Sequence, residues 1–226
     1  MISLSPLHGT FIDDGEFEIF FGNKEFSAIV ESSQDPSLCL LHQVHGAECV
    51  EAISNQKPSA DAHWTSDPKK QLLIKSADCL PIIVTSSQRR QIWAIHAGWR
   101  GVENKITTCA LGSFAGDTSM KVYIGPHIQQ DSFAVDHDVA VRILRAHELD
   151  LRKASALGIL IERENKFYID LVALVFGELE NLQIQSSNVS VSPVDTKTNS
   201  NYHSFRRGDH GVRNYSLVRF KTSSAY

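Results

Sequence analysis

The sequence predicts a single domain of the α+β class, in which mixed β-sheets are flanked by helices. Three observations support this prediction. The chain of 226 residues has the length of one domain, and it contains no long linker and no internal repeat. Short runs of β-branched and aromatic residues are numerous, whereas few segments have helical length and spacing. These segments also do not alternate as they would in a doubly wound fold, so we expect one domain over residues 1–226.

The predicted strands are short and mostly apolar. Two runs, Phe17–Phe21 and Phe26–Val30, flank the pair Gly22-Asn23, which predicts a hairpin. Further strands are predicted at Leu38–Val44, Gln71–Lys75, Leu80–Thr85, Gln91–His96, Met120–Ile124, Asn188–Ser192 and Tyr215–Phe220.

Three segments have the length and the three-to-four spacing of amphipathic helices: Gly101–Phe114, Asp136–His147 and Asp170–Leu182. Asp136 and Asp170 stand where helix N-caps are expected. The polar residues 222–226 are expected to fray.

Composition and charge exclude several classes of function. The 22 basic and 26 acidic residues give a net charge of −4, which disfavours binding to nucleic acid or to anionic lipid. Apolar runs fall far short of the roughly 18 residues that a membrane span requires, and the first residues lack the features of a signal peptide. The 4 cysteines form no CxxC pair and are too few for a disulfide scaffold. We therefore expect a cytoplasmic protein with reduced thiols.

Three segments combine metal ligands or nucleophiles with residues that break regular structure: LLHQVHG (40–46), SADCLPI (76–82) and AIHAGWRG (94–101). His45, Cys79 and His96 together supply two imidazoles and a thiolate, a set suited to Zn²⁺ with an open fourth position. Taken alone, each of them is more often a structural residue. His42 is a weaker ligand, because residues three apart on a strand point to opposite faces.

Two arginines are candidates for binding an anion. Arg100 lies at the start of the helix predicted from Gly101, where free backbone N–H groups favour a phosphate or carboxylate. Arg206 lies in the basic, Gly-punctuated segment SFRRGDHGVR (204–213). The alternative for each arginine is an ion pair with a surface acid.

The blocks QVHG, ADCLPI and HAGWRG occur here in the order in which they occur in one known family. The sequence resembles the family first described as multicopper polyphenol oxidase or laccase-like, and later as purine nucleoside phosphorylase and as a peptidoglycan editing factor. Weaker matches are SADAHWTSDP (59–68), YIGPHI (123–128) and HSFRRG (203–208). The resemblance extends roughly over residues 38–220.

The resemblance implies a zinc site formed by His45, Cys79 and His96, which copper can also occupy. It further implies phosphorolysis of adenosine, inosine and methylthioadenosine, together with some adenosine deamination. The implied substrates are therefore a purine nucleoside and phosphate. A laccase with four coppers is disfavoured, because the 10 histidines include no His-x-His pair.

Site roles follow from combining the resemblance with the residue types. Cys79, His96 and Asp78 are the expected catalytic residues, and Arg100, Arg206 and His42 are expected to bind substrate. For Asp78 two roles stay open. It acts as an acid and base, or it has a structural role through a hydrogen bond to the backbone or to a ligand imidazole.

The N-terminal residues 1–37 differ from the family. The segment GTFIDDGEFEIFFG (9–22) lacks the arginine of the family's N-terminal block. Elsewhere Gln129-Gln130 replaces a Gly-Pro pair and Asp195-Thr196 replaces a Cys-Thr pair. We expect weaker phosphate binding, which shifts the reaction towards hydrolysis or deamination.

Other functions fit the same residues. Cys79 and His96 can form the nucleophile and base of a metal-free cysteine hydrolase. The chain can also edit peptidoglycan precursors, or be a degenerate protein that binds zinc without turnover. A monomer and a homodimer are both compatible with the sequence.

Overall fold

The computed structural model describes residues 2–221, and the predicted polar tail at 222–226 lies outside the described residues. This part of the chain forms the strands β1 Gly9–Asp14, β2 Phe17–Gly22, β3 Leu38–Cys39, β4 Cys49–Glu51, β5 Ala62–Thr65, β6 Gln71–Ser76, β7 Leu80–Ser86, β8 Gln91–Ala97, β9 Met120–Ile124, β10 Ala134–Val135, β11 Leu160–Arg163, β12 Lys166–Ile169, β13 Val189–Val191 and β14 Asn214–Phe220. Its α-helices are α1 Lys24–Glu31, α2 Trp99–Glu103, α3 Ile106–Leu111, α4 His137–Ala146, α5 Leu151–Ala156 and α6 Leu171–Asn181. The predicted α+β class is confirmed.

The strands form three sheets. One has the order β1-β2-β14-β6-β3, a second has the order β13-β9-β7-β8-β5-β4, and a small third sheet has the order β10-β12-β11. The two larger sheets contain both parallel and antiparallel pairs; β3 and β6 are parallel, for example, whereas β7 and β8 are antiparallel. Strands β6 and β7 belong to different sheets, so residues 77–79 carry the chain from one large sheet to the other.

Three apolar clusters hold these layers together. Between the two large sheets lie side chains such as Phe17 and Leu72 from one sheet and Ile83 and Ala94 from the other. Helix α1 covers the outer face of the first sheet through Phe26 and its neighbours. The other helices cover the outer face of the second sheet in the largest cluster. Burial of this apolar surface is the main term that stabilises the arrangement.

The predicted hairpin around Gly22-Asn23 is wrong. Residues Phe26–Val30 belong to helix α1, because the Asn23 side chain accepts hydrogen bonds from the backbone N–H groups of Glu25 and Phe26 and so caps a helix at this point. The hairpin instead joins β1 to β2 across Gly15 and Glu16, and Gly15 has a φ of +67°. A glycine is suited to this conformation because it lacks a Cβ.

The helix predicted at Gly101–Phe114 is divided into α2, α3 and a short 3-10 turn. The break lies at Lys105, whose φ of +55° does not belong to an α-helix. The buried Glu178 side chain of α6 accepts hydrogen bonds from the backbone N–H and the hydroxyl of Thr108 near the start of α3. A carboxylate from another helix therefore supports a second helix start that local sequence does not indicate.

The strand predicted at Leu38–Val44 is limited to Leu38–Cys39, and β13 is shorter than the predicted Asn188–Ser192. The predicted helices beginning at Asp136 and Asp170 are present as α4 and α6. Helices α1 and α5 and the strands β1, β4, β5, β10, β11 and β12 were not predicted. Within residues 2–221, no helix is long and apolar enough to cross a membrane.

Candidate metal and catalytic site

The three segments that the sequence singles out meet at one end of the six-stranded sheet. Cys79 immediately precedes β7, and His96 is the penultimate residue of the neighbouring strand β8. Leu80 pairs with Ala97 in this register, so Cys79 lies beside Gly98 at the strand ends. His45 comes from the loop between β3 and β4. Residues separated by up to 51 positions are thus brought to a common point.

One ligand atom from each of His45, Cys79 and His96 lies within 4.8 Å of the other two. The two imidazole rings are 5.0 Å apart between centroids and nearly perpendicular, with an interplanar angle of 78°. His45 is exposed, Cys79 is partly buried and His96 is 3% exposed. The cluster therefore extends from the protein interior to solvent, and a small molecule can approach it from the His45 side.

The charges of the cluster favour a thiolate. Burial opposes ionisation of Cys79, but the charge of His96 and hydrogen bonds with His45 and His96 lower the pKa of the thiol to about 6. Burial likewise opposes a charged His96, but the Cys79 thiolate and the Asp61 carboxylate raise the pKa of His96 to about 9. At neutral pH the pair is therefore a thiolate beside an imidazolium, and the thiolate is the form that acts as a metal ligand or nucleophile.

A buried carboxylate connects the two histidines. Asp61 is fully buried, and its Oδ1 is 2.8 Å from Nδ1 of His96. The same carboxylate accepts hydrogen bonds from the backbone N–H groups of Val44, His45 and Gly46. Burial alone would raise the pKa of Asp61, but the hydrogen bonds from His96 and from the backbone of Gly46 and Val44 lower it below its ordinary value.

This arrangement explains why the predicted strand does not extend to Val44, whose N–H donates to Asp61. Three consecutive N–H groups can converge on one carboxylate only where the backbone turns, and His45 has a φ of +61°. The turn also brings the His45 side chain towards Cys79. His42 is held by a single bridge to Ser59, is exposed, and is not a member of the described ligand cluster.

Gly98 leaves room for the cluster. A Cβ at this position would lie 2.9 Å from the Cys79 sulfur and 3.3 Å from Cδ2 of His45. Such contacts are too short for an undisturbed side chain, so glycine is the residue that allows α2 to begin against the two ligands.

Asp78 is occupied by hydrogen bonds to the C-terminal loops. Its carboxylate accepts from the hydroxyl of Thr196 and from the backbone N–H of Arg206. It is buried, and its φ of +86° is an uncommon conformation for a residue with a Cβ. Of the two roles that the sequence leaves open for Asp78, these contacts correspond to the structural hydrogen bond.

The two candidate arginines are exposed. Arg100 follows His96 closely in the sequence, and the backbone of Arg206 is hydrogen-bonded to Asp78, the residue before Cys79. The Arg100 guanidinium lies over the Trp99 ring, 4.4 Å from its centroid. Arg206 lies over Phe133 and donates to the carbonyl of Ala134. The neighbouring Arg207 instead donates to several backbone carbonyls and to Asp209, so it stabilises the loop itself.

Asp61 and Gly98 also belong to the site, although the sequence alone predicts no role there for either residue. The segment SADAHWTSDP contains Asp61, and an acidic residue between small residues at the start of a strand could have indicated it. Gly98 stands within HAGWRG, but only the structure shows what a side chain there would meet.

Comparison with known proteins agrees with the resemblance. A family model described as multi-copper polyphenol oxidoreductase laccase matches residues 14–221. A purine nucleoside phosphorylase of Rickettsia conorii is 31% identical over 193 residues, covering 83% of this chain and 77% of the relative. Another of Pseudomonas aeruginosa is 35% identical over 109 residues, covering 47% of this chain and 45% of the relative.

Solved structures share the fold. A protein of Neisseria meningitidis superimposes with a TM-score of 0.80 at 21% identity, covering 95% of this chain and 100% of that protein. YlmD from Geobacillus stearothermophilus superimposes with a TM-score of 0.72 at 23% identity, covering 83% of this chain and 74% of that protein. At these identities the similarity concerns the fold alone.

Proposed function

The chain belongs to the multi-copper polyphenol oxidoreductase laccase family, and on that premise we propose that it is a purine nucleoside phosphorylase dependent on a metal ion held by His45, Cys79 and His96. The observation that carries the proposal is the convergence of these three ligand atoms at an end of the sheet that is open to solvent. Relatives named purine nucleoside phosphorylase support the choice of substrate class. The proposed substrates are a purine nucleoside and phosphate.

The residues fit a metal ion of the zinc type. In a tetrahedral zinc site two ligand atoms lie roughly 3.3 to 3.6 Å apart, so the three atoms, which lie within 4.8 Å of one another, would need only a small side-chain adjustment to share one ion. Two imidazoles and a thiolate also suit copper, so zinc is the proposed ion and copper an alternative occupant. When bound, the ion would supply positive charge that polarises an oxygen or nitrogen of the substrate. Within residues 2–221 this cluster provides ligands for one ion rather than for the four coppers of a laccase.

The protein's own residues would bind and orient the reactants. Arg100 follows Gly98 by two residues, and Gly98 borders both Cys79 and His45. Arg206 belongs to a loop whose backbone donates a hydrogen bond to Asp78, the residue before Cys79. A guanidinium presents several N–H donors to phosphate oxygens, so we assign phosphate binding to these two arginines. Asp78 is assigned a positioning role, and His42 a peripheral contact to substrate.

Phosphorolysis requires one bond exchange at the sugar. A phosphate oxygen forms a bond to C1′ of the ribose while the bond from C1′ to the purine nitrogen breaks, and the base leaves with a proton. The finer proposal is that adenosine, inosine and methylthioadenosine are cleaved and that adenosine is also deaminated. In deamination a water oxygen forms a bond to the purine carbon that bears the amino group while the bond from that carbon to the amino nitrogen breaks, and ammonia leaves. Water in place of phosphate at C1′ would instead hydrolyse the nucleoside.

The experiment is to incubate protein of known metal content with inosine or adenosine, with and without phosphate. We expect hypoxanthine release from inosine that increases with phosphate. The matched variants are Cys79→Ala, which removes a proposed ligand, and Cys109→Ala, which removes an exposed cysteine on α3. A folded protein with stoichiometric metal that releases no base and no ammonia would contradict the proposal and favour a binding protein.

A cysteine hydrolase is the second candidate, because the thiolate of Cys79 lies beside an imidazolium at neutral pH. The two candidates differ in what a metal does. A zinc ion bound to the Cys79 sulfur would protect this sulfur from alkylation by iodoacetamide and should support turnover. If chelation leaves turnover intact and alkylation of Cys79 abolishes it, the hydrolase is correct.

A further inference from the structure

Asp61 is the group that touches both histidine-bearing segments of the cluster. One carboxylate oxygen lies 2.8 Å from Nδ1 of His96 and 3.0 Å from the backbone nitrogen of His45. The other lies 2.7 Å from the nitrogen of Gly46 and 3.1 Å from that of Val44. Four donors thus converge on a carboxylate that solvent does not reach.

The hydrogen bond to His96 determines which ring nitrogen faces the cluster. An ionised carboxylate only accepts hydrogen bonds, so Nδ1 of His96 must carry the proton in this contact. A metal ion would bind the neutral imidazole, and with the proton held on Nδ1 the free lone pair of that form is on Nε2. The backbone bond from His96 to the carbonyl of Asp61, 2.7 Å long, keeps the two residues in register.

The bonds to the loop determine where His45 stands. Its exposed side chain comes from a turn whose backbone N–H groups at three consecutive positions end on Asp61. Without this acceptor the three donors would need other partners in a region that is partly buried, and the turn would lose its shape.

We propose that Asp61 is a positioning residue that assembles the metal site, because it fixes the tautomer of His96 and the backbone of the His45 turn with one carboxylate. This inference rests on the metal site of the proposed function. It adds that the two histidine ligands are not independent: both depend on the same buried acid.

Asp61→Asn tests this because an amide has one acceptor oxygen where the carboxylate has two. If the amide oxygen serves His96 and His45, the amide NH₂ faces the N–H groups of Val44 and Gly46. If it serves those two, the NH₂ faces the protonated nitrogen of His96 and favours the wrong tautomer. Either orientation breaks one half of the arrangement.

The matched control is Asp117→Asn. Asp117 is also buried and accepts hydrogen bonds from Ser86 and Ser119, and it pairs with Arg89. Ser86 ends strand β7, whereas Cys79 precedes it, so the control site lies at the opposite end of that strand. Both variants lose a buried carboxylate, but only one of them touches the proposed ligands.

The first measurement is zinc affinity by competition with a chromophoric chelator, at a temperature where each variant is folded. We expect Asp61→Asn to lower the affinity about ten- to a hundredfold and Asp117→Asn to leave it unchanged. Replacing zinc with Co²⁺ should also change the absorption bands of the site in Asp61→Asn only. Wild-type affinity in folded Asp61→Asn would overturn the proposal.

The second measurement does not need a metal. A buried Nδ1–H of His96 bonded to a carboxylate should give a strongly deshielded, slowly exchanging proton resonance in the wild type and in Asp117→Asn. Its absence from the wild type would overturn the assignment of Asp61. If that resonance is present but no zinc binds, the metal site of the proposed function fails while the contact of Asp61 stands.

Asp61→Glu covers the case in which Asp61→Asn does not fold. It retains two acceptor oxygens but moves them by one methylene, so it should fold, keep the deshielded proton and bind zinc more weakly than the wild type. A folded Asp61→Glu with wild-type zinc affinity would show that the position of the carboxylate is immaterial and would equally overturn the proposal.

Discussion

Two histidines on the same face of strands β5 and β8 differ completely in their electrostatics. His96 lies at the end of the sheet beside Cys79 and Asp61, and its pKa is raised to about 9 despite burial. His63 pairs with Ala94, two residues from His96 along β8, and burial lowers its pKa to about 3, with the backbone of Leu73 acting in the opposite direction. Burial disfavours the charged form of both rings. The difference therefore comes from the charged partners at the strand end.

The comparison shows what makes one end of the sheet a candidate site. A buried histidine without charged neighbours stays neutral at physiological pH and behaves as a core residue. The same residue type between a thiolate and a carboxylate becomes a cation that holds an orientation and stabilises the thiolate. Removing Cys79 or Asp61 should therefore strongly affect His96 and the site around it. Substituting His63 should affect the stability of the protein alone.

The largest expected effect comes from Cys79→Ala. It removes a proposed ligand and the negative charge that faces His96, so metal binding and turnover should fall to the detection limit. Because Cys79 is partly exposed and His96 still pairs with Asp61, the free energy of unfolding should fall only moderately, by about 1 to 3 kcal/mol. Activity, metal content and urea unfolding are measured beside Cys109→Ala, which should match the wild type. Unfolding of Cys79→Ala at room temperature would instead indicate a structural metal.

The next effect concerns acid stability and His63. In the unfolded chain His63 takes up a proton near pH 6.5, whereas in the folded protein it does so only near pH 3. Between these values the unfolded state binds more protons, so the stability present above pH 6.5 is lost as the pH falls. At pH 4.5 the loss should be about 3 kcal/mol, from two pH units at 1.36 kcal/mol each.

His63→Leu isolates this contribution. The variant lacks the titrating ring, so its free energy of unfolding should decrease less between pH 7.5 and pH 4.5 than that of the wild type. Urea unfolding at both pH values gives the difference. Equal decreases in the two proteins would show that His63 is protonated as easily in the folded state as in the unfolded chain.

Much of the fold could be predicted because it depends on local pattern. Apolar runs such as Met120–Ile124 became strands with the expected bounds, and the N-cap residues Asp136 and Asp170 precede helices. The errors occur where local and distant interactions compete. Phe26–Val30 has the composition of a strand, but the Asn23 cap and packing on the first sheet make it helical. The break at Lys105 is accompanied by a contact from Glu178, which local pattern cannot reveal.

The site could be predicted in its chemistry but not in its geometry. Two imidazoles and a thiolate suggest a metal, yet their separation along the chain gives no local spacing to support it. The family resemblance implied the same three ligands and so strengthened the prediction. The role of Asp61 could not be read from sequence, because its partners at Val44, Gly46 and His96 meet it only in the folded chain.

Gly98→Ala should have an intermediate effect, because it disturbs the partners of His96 without removing them. The new Cβ would meet the Cys79 sulfur at 2.9 Å and displace it. A displacement of the order of 1 Å at a reacting site costs about a hundredfold in rate. The control is Gly112→Ala, where nothing lies within 4 Å of the added carbon. Turnover and zinc affinity are compared, and equal values in both variants would show that the site tolerates the shift.

The smallest expected effect concerns phosphate, for which the sequence predicts fewer partners because it lacks the arginine of the family's N-terminal block. A charged anion leaves water only when N–H donors or cations replace its hydration. Residues 9–22 contain no arginine and form the hairpin of β1 and β2. The N-terminal Lys24 is paired with Asp209 at 3.6 Å. Loss of one charge-assisted contact costs about 1.5 to 3 kcal/mol, or roughly ten- to a hundredfold in affinity.

Phosphate should therefore bind weakly and water should compete with it, so that hydrolysis or deamination accompanies phosphorolysis. Titrating phosphate against purine release and ammonia release measures the division between the reactions. Arg100→Ala should weaken phosphate binding by a further factor of about ten to a hundred, since it removes a second cation, whereas substitution of the exposed Arg145 on α4 should not. If purine release saturates at low-micromolar phosphate and no ammonia is released, the prediction is wrong. A group outside the N-terminal segment then binds phosphate in place of the missing arginine.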